Sequence, residues 1–257
     1  MSKIIAIMLL LCFGMMLFGC ADDNGRRKAE QQKTIVVTDS VGRKVELPYP
    51  LERVAVCNVY NAELITAVGA IDKIVGVDNY IFKDQSGFKN RFNEAQVFGI
   101  SQNAMNYEKL AELSPQAVII TGEGTWRDAQ EMLDRFGIKV VVINSYYTDQ
   151  FADNCRLIGR IFGREEQAEE LVNYFNDKLA YIQKQLQGVP RRSLYFEYRT
   201  LGKTAVPGDY FYKMVEYSGA DNIFAAAKGS QVDQEAIIEK DPQYIVCLLY
   251  TSDAADD

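Results

Sequence analysis

The chain has 257 residues, of which 48% are hydrophobic and 25% are charged, with a formal net charge of −7 at pH 7 and no histidine. This composition suits one large or two small globular domains, and the negative charge argues against nucleic acid as a partner. Without histidine the usual catalytic triads and zinc clusters are excluded, and no nucleophile-elbow, P-loop or dinucleotide motif is present. We therefore expect a binding protein that is not an enzyme, with no cofactor and no resident metal.

The first twenty residues predict export and attachment to a membrane. Residues 1–19 contain an early lysine followed by an uncharged apolar run, which is typical of a signal peptide and short for a bilayer span of about 17–25 residues. The run ends in "LFGC", which resembles the bacterial lipobox and predicts lipidation of Cys20. Cleavage without lipidation and an uncleaved anchor are the alternatives. Residues 20–33 are polar, so we expect a flexible tether to a cell membrane, with the protein facing the periplasm or the cell exterior.

Residues 34–148 predict an N-terminal α/β lobe. The segment 34–48 alternates apolar and polar residues around a glycine turn, as a β-hairpin does. Beyond it, short apolar runs such as "RVAVC", "KIVGV", "AVIIT" and "KVVVIN" alternate with segments of helical spacing. This alternation predicts a parallel sheet with helices on both faces.

Residues 149–187 predict two helices, the second with an apolar stripe that includes Leu171, Tyr174, Ile182 and Leu186. We interpret the second helix as a rigid spine, because residues 188–246 begin a new α/β segment with the strand-like "RSLYFEY". The predicted fold class is α/β, with two Rossmann-like lobes joined by a single long helix. A cleft between two such lobes is a common place for a ligand.

An internal repeat links the lobes. "NYEKLAELSPQAVII" (106–120) and "DQEAIIEKDPQYIVC" (233–247) each have a glutamate seven residues before a proline, Glu108 in the first and Glu235 in the second. Each glutamate follows by two residues an Asn or Asp that can cap a helix. Interaction with the helix dipole, worth about 0.3–1 kcal/mol, is sufficient by itself to account for both.

Together these segments resemble the substrate-binding lipoproteins of ABC importers for iron–siderophore complexes, haem and cobalamin. The resemblance extends from Thr34 to Val246 and depends on the order of "TDSVGRKVELP", "AVGAIDKIVGV", "RFGIKVVVIN", "SGADNIF" and the two repeats. It implies an ABC permease and an ATPase subunit as partners, with a metal chelate or a corrinoid as ligand. It also implies that one glutamate per lobe docks onto arginines of the permease, and Glu108 and Glu235 match those positions. We expect the protein to act as a monomer.

Ligand contacts in such lobes come from loops at the carboxyl ends of the strands. Aromatic faces with one or two cations suit a large planar ligand or a metal chelate. The predicted ligand-binding residues are Asn58, Tyr60, Tyr80, Gln102, Trp126, Tyr146, Tyr198, Arg199 and Tyr210. Any of them can instead be an ordinary loop or interface residue.

The last eleven residues do not continue the pattern. "CLLYTSDAADD" (247–257) resembles the translation of a transposase-type sequencing adapter, so we expect a non-native tail and an incomplete second lobe. Cys57 and Cys155 have no metal-type or disulfide-type spacing and are expected to be small buried residues.

The sequence therefore predicts the ligand-capturing component of an ABC importer. A ligand-sensing or adhesive surface lipoprotein, or a binding protein for an oxyanion such as molybdate, are the alternatives.

Overall fold

The computed structural model describes residues 33–84 and 86–248. The predicted signal peptide, Cys20, residues 20–32 of the predicted tether and residues 249–257 of the predicted tail lie outside the described residues. Within the described ranges, no helix combines the length and apolar character needed to cross a bilayer.

The described residues form an α/β structure. Its strands are β1 Thr34–Thr38, β2 Lys44–Pro48, β3 Val54–Val56, β4 Ile74–Asp78, β5 Val97–Gly99, β6 Ala117–Ile120, β7 Lys139–Val142, β8 Ser193–Tyr198, β9 Asp221–Asn222 and β10 Tyr244–Leu248. Its helices are α1 Val59–Ala67, α2 Asn79–Lys83, α3 Tyr107–Glu112, α4 Trp126–Asp134, α5 Phe151–Phe162, α6 Glu165–Gln185, α7 Tyr212–Tyr217 and α8 Gln234–Lys240. The predicted hairpin and the alternation of strands and helices are confirmed.

The N-terminal lobe contains a five-stranded parallel sheet in the order β5-β4-β3-β6-β7. The chain enters at the central β3, moves outward through β4 and β5, and then crosses to β6 and β7 on the other side. The loops after β3 and β6 therefore diverge at the carboxyl edge, and the crevice between them is where sheets of this kind bind ligands. The β1–β2 hairpin is attached to β7, because Ser40 N donates to Val142 O (2.9 Å) and Asp39 accepts from Val142 N (3.3 Å).

Two cores cover the two faces of this sheet. Val54 and Val56 of β3 belong to a core shared with α1, α5 and the start of α6, whereas Ala55 and Cys57 belong to a core shared with α3 and α4. This arrangement follows from the alternation of side chains along a strand. Cys57 and Cys155 are both buried, as predicted.

Helices α5 and α6 lead from the N-terminal to the C-terminal lobe. The beginning of α6 packs on the N-terminal core through Ala168 and Val172, its fully buried residues. The predicted apolar stripe is buried only in part, since Tyr174 is 61% and Ile182 is 40% exposed. The reason is that the second half of α6 extends beyond the N-terminal core, so fewer side chains are available to cover it.

The described part of the C-terminal lobe contains a three-stranded parallel sheet in the order β10-β8-β9. Its buried core is small and consists of Phe196, Tyr198, Ala205 and Val215. β10 continues to Leu248, two residues beyond the predicted end of the lobe, and all five of its residues are exposed.

Candidate functional site

A cavity of about 550 Å³ lies between the two lobes. Side chains from both lobes form its wall: Asn58, Tyr60, Glu123, Tyr146, Tyr198, Arg199, Tyr210, Phe211, Cys247 and Leu248. Small-molecule sites have volumes of roughly 300–1,000 Å³. The cavity is therefore large enough to hold most of a compact organic ligand.

The N-terminal wall lies where the strand order of the sheet reverses. Asn58 follows β3 and Glu123 follows β6, and these two strands are neighbours. The Asn58 side chain caps α1 by accepting from Tyr60 N (3.0 Å), while its backbone N–H donates to Asp78 (3.0 Å). Burial raises the pKa of the Asp78 carboxyl, and its backbone donors oppose that shift. Asn58 has a φ of 78°, a left-handed value that occurs in non-glycine residues mainly where the surrounding structure enforces it.

Amide groups fix the loop that carries Glu123. Gly122 N donates to Asn144 Oδ1 (2.7 Å), and the Gln102 side chain donates to the carbonyl oxygen of Glu123. Gly124 has a φ of 79°, and a Cβ at that position would lie 2.4 Å from a neighbouring side-chain oxygen. The left-handed conformation favours glycine there, and the loop holds Glu123 at the edge of the cavity.

A tight turn after β8 presents Arg199, whose φ is 63°. Glu197, which is 5% exposed, holds this turn from below: its Oε2 accepts from Gly202 N (2.7 Å) and from the Tyr195 hydroxyl (2.7 Å). Gly202 has a φ of 78°, and a Cβ there would lie 2.5 Å from the Val232 carbonyl oxygen. The turn is thus determined by one glycine and one buried carboxylate.

Aromatic rings form a continuous cluster across the cavity. The ring centroid of Tyr210 lies 5.7 Å from Tyr146 of the N-terminal lobe, 5.7 Å from Tyr198 and 4.4 Å from Phe211. The Arg199 guanidinium lies 5.9 Å from the Tyr210 centroid. Edge-on aromatic contacts and cations near ring faces both stabilise such clusters. The cluster offers a ligand several apolar faces beside one cation.

Two of the cavity phenols, Tyr146 and Tyr198, remain protonated at neutral pH. Burial raises the pKa of Tyr146, and the negative charge of Glu123 adds to the shift. Burial also raises the pKa of Tyr198, whose hydroxyl donates to Asp209. Neutral phenols donate hydrogen bonds and do not act as anionic metal ligands. Among the described residues, no cluster of three or more His, Cys, Asp or Glu is arranged to hold a metal ion.

The structure brings six of the nine predicted ligand-binding residues together around this cavity: Asn58, Tyr60, Tyr146, Tyr198, Arg199 and Tyr210. Trp126 is instead 8% exposed in the core beneath α4, with the Arg43 guanidinium 4.3 Å from its ring centroid. Gln102 supports the Glu123 loop and does not line the cavity. Tyr80 is 62% exposed on α2, away from the cavity wall.

Glu123 and Phe211 also line the cavity, although neither is among the predicted ligand-binding residues. Glu123 is a charged residue between two glycines directly after a buried strand, and this signal was sufficient to find it. Phe211 gave no such signal, because it also packs on Phe196 at a centroid distance of 5.0 Å and resembles a core residue. Cys247 and Leu248 line the cavity although the sequence assigned them to the tail.

The two glutamates of the repeat lie in equivalent positions. Glu108 is exposed in the first turn of α3, and Glu235 is exposed in the first turn of α8. The predicted cap is present in α3, where Asn106 Oδ1 accepts from Lys109 N (3.0 Å), but Asp233 makes no such bond in α8. A helix that returns to the next parallel strand begins at the carboxyl edge of the sheet, so both glutamates lie at the edge that binds ligand.

Comparison with protein families matches residues 54–256 to the periplasmic binding protein family. The chain belongs to this family. The match covers both the loops that form the cavity and the two helices that carry the paired glutamates, so the periplasmic binding protein fold accounts for the whole candidate site.

Individual relatives of this periplasmic binding protein are distant but extensive. The vitamin B12-binding protein of Salmonella typhimurium is 23% identical over 205 residues, which cover 77% of this chain and 73% of the relative. The uncharacterized ABC transporter substrate-binding lipoprotein YvrC of Bacillus subtilis is 24% identical over 255 residues, covering 92% and 78%. The solved structure of the molybdate periplasmic binding protein MolA of Haemophilus influenzae, bound to molybdate, has a TM-score of 0.69 at 23% identity and covers 83% of this chain and 73% of MolA. The structural likeness shows a common fold.

Proposed function

We propose that this periplasmic binding protein is the extracytoplasmic solute-binding component of an ABC importer. It captures an iron–siderophore complex, haem or a corrinoid in the cleft between its lobes and delivers it to permease and ATPase subunits, acting as a monomer. The observation that carries this proposal is the cavity itself, which lies at the reversal of strand order and is lined from both lobes. Membership of the family and the named relatives support it.

The cavity favours a large ligand with flat faces over a small ion. Tyr60, Tyr146 and Tyr210 line it with aromatic rings, which suit extended planar or apolar surfaces. A chelate brings its own metal and so requires no anionic ligands from the protein. A small oxyanion, the ligand named for MolA, would leave most of the volume unfilled and would meet Glu123 as well as Arg199. The oxyanion hypothesis is therefore the weaker alternative.

Docking to the permease is assigned to Glu108 and Glu235. Both side chains are exposed, and neither forms an ion pair with another described residue. A single exposed ion pair contributes roughly 0–1 kcal/mol, so these contacts supply little affinity alone. One contact per lobe would nevertheless fix the orientation of the cleft over the permease.

Attachment to the membrane is assigned to Cys20 through a lipid anchor, on the basis of the "LFGC" sequence and the lipoprotein relative YvrC. Cys20→Ser should prevent lipidation and release the mature protein from the membrane fraction. Detergent phase partitioning and intact mass measure both effects. Equal partitioning of the wild-type and variant proteins would contradict the assignment.

Ligand binding is tested on the full chain purified in mild detergent. Native mass spectrometry identifies what co-purifies, and titration with cyanocobalamin, haemin and a ferric siderophore is followed by intrinsic fluorescence. We expect one class to bind, and Tyr210→Ala to weaken it by about tenfold through loss of the central ring of the cluster. Tyr80→Ala, which removes an exposed tyrosine outside the cavity, is the matched control. Failure of every class to bind, or equal effects of both variants, would overturn the proposal.

A further inference from the structure

The cavity carries one acidic and one basic side chain on opposite walls. Glu123 belongs to the N-terminal lobe and Arg199 to the C-terminal lobe. Among the residues with described side chains, neither forms an ion pair, with the other or with any third group. Both are exposed, so water solvates them in the open cavity. Within the protein, the Glu123 carboxylate interacts with the Tyr146 hydroxyl, and the Arg199 guanidinium lies 5.9 Å from the Tyr210 centroid. A ligand that displaces this water must supply further partners for both charges, because a desolvated charge with few partners is costly.

The backbone that carries the acidic group is fixed by its neighbours. It is held by the Gln102 side chain, by the hydrogen bond from Gly122 to Asn144 (2.7 Å), and by the left-handed conformation of Gly124. The negative charge of Glu123 also acts on Tyr146, whose ring lies behind it. Burial is the largest cause of the raised pKa of Tyr146, and the charge of Glu123 is the second. The wall contributed by the N-terminal lobe therefore presents a negative charge on a fixed backbone.

On the basis of the proposed function, we propose that Glu123 is a specificity-determining residue that selects against ligands whose periphery is negatively charged. A ligand group that donates through N–H or O–H, such as a carboxamide, forms a hydrogen bond with the Glu123 carboxylate. A carboxylate at the same place on the ligand is repelled, since like charges brought together in an interface are strongly unfavourable. At the opposite wall, the Arg199 guanidinium donates hydrogen bonds to a carbonyl or other acceptor group of the ligand. The preferred ligand is thus a chelate with amide or hydroxyl groups at its edge and no net negative charge.

The test compares ligands that differ only in charge. Cyanocobalamin is compared with its monocarboxylic acid derivatives, and haemin with its diamide, because an amide and a carboxylate have nearly the same shape. The discrimination factor is the dissociation constant of the acid divided by that of the matching amide. It is measured by calorimetric titration for wild type, Glu123→Gln and Glu131→Gln in the full chain in detergent. Glu131 lies on α4, is exposed and does not line the cavity, so its variant gives the same change in net charge elsewhere.

Wild type should favour the amide, and Glu123→Gln should lower the discrimination factor about tenfold, which corresponds to about 1.4 kcal/mol. Glu131→Gln should leave it unchanged. If Glu123→Gln leaves the factor at the wild-type value, or if Glu131→Gln lowers it equally, the inference is overturned while the proposed function stands. If neither these probes nor the ferric siderophore of the binding test binds to any of the three proteins, the proposed function fails and the inference fails with it.

Discussion

Replacement of the buried carboxylate under the Arg199 turn tests how the C-terminal wall is held. Glu197 is almost fully buried, and one of its oxygens accepts from both Gly202 N and the Tyr195 hydroxyl. Glu197→Ala removes the acceptor of both bonds, leaving two buried donors without partners. Glu197→Gln keeps an oxygen in the same place and loses only the charge.

The expected magnitude follows from these two bonds. A hydrogen bond to a charged group contributes about 1.5–3 kcal/mol to stability, so loss of two such bonds in Glu197→Ala should lower the free energy of unfolding by about 3–6 kcal/mol. Glu197→Gln retains two neutral hydrogen bonds and should cost about 1–2 kcal/mol. Tyr195→Phe removes one donor but leaves the bond to Gly202, so it should lower stability without loosening the turn.

Urea denaturation followed by circular dichroism measures the stabilities, and hydrogen exchange of residues 199–203 measures the turn. We expect faster exchange and weaker ligand binding in Glu197→Ala, since Arg199 is then no longer held in its left-handed conformation. Tyr195→Phe should show wild-type exchange and affinity. If Glu197→Ala destabilises no more than Tyr195→Phe and exchange of the turn is unchanged, the carboxylate does not hold it.

Three further predictions concern other parts of the molecule. The double variant Glu108→Lys, Glu235→Lys should keep its ligand affinity and lose uptake in cells, because each change opposes the arginines of the permease; normal uptake would refute the docking role. Burial and a hydrogen bond to a carboxylate raise the pKa of Tyr198, so the stability this phenol provides is complete below its unfolded pKa of about 10 and is lost as the pH rises through the folded value. Ultraviolet titration of wild type against Tyr198→Phe should therefore show no difference in ionised tyrosine at about pH 10.5, and a difference of one ionising group would contradict this. Iodoacetamide at about pH 8 should modify the exposed Cys247 and spare Cys57, because burial raises the pKa of the Cys57 thiol. Peptide mass spectrometry measures the modification. If Cys57 is modified without denaturant, this buried site opens.

Periodicity predicted the fold well, because the N-terminal core is built from local patterns. The apolar run of β3 is short, and its alternate residues pack into two different cores. A strand that is hydrophobic on both sides needs helices on both faces of the sheet, so the near-continuous apolar run already implied this arrangement. The burial of α6 could not be derived in the same way. Tyr174 and Ile182 lie on its apolar stripe, but their exposure depends on where the neighbouring core ends.

The site was predictable to the extent that it follows strand order. Asn58 and Arg199 directly follow strands β3 and β8, and both line the cavity. Trp126 also follows a strand in sequence, but it is the first residue of helix α4. Its large ring packs into the core, with the Arg43 guanidinium next to it. Gln102 shows a different limit, since an amide can position a binding loop without facing the ligand.

Because the core of the C-terminal lobe is small, the cavity wall that this lobe forms is less stable than the wall formed by the N-terminal lobe. The N-terminal wall rests on a five-stranded sheet buried on both faces, whereas Arg199 and Tyr210 belong to a lobe whose described core is a cluster of four buried side chains. Elements with few buried contacts open at lower free energy, so this wall should exchange its amide protons first. A ligand at 100 times its dissociation constant adds about 2.7 kcal/mol to the state that binds it. Most of that gain would appear as slower exchange in the C-terminal lobe, where the ligand would serve as a temporary part of the hydrophobic core.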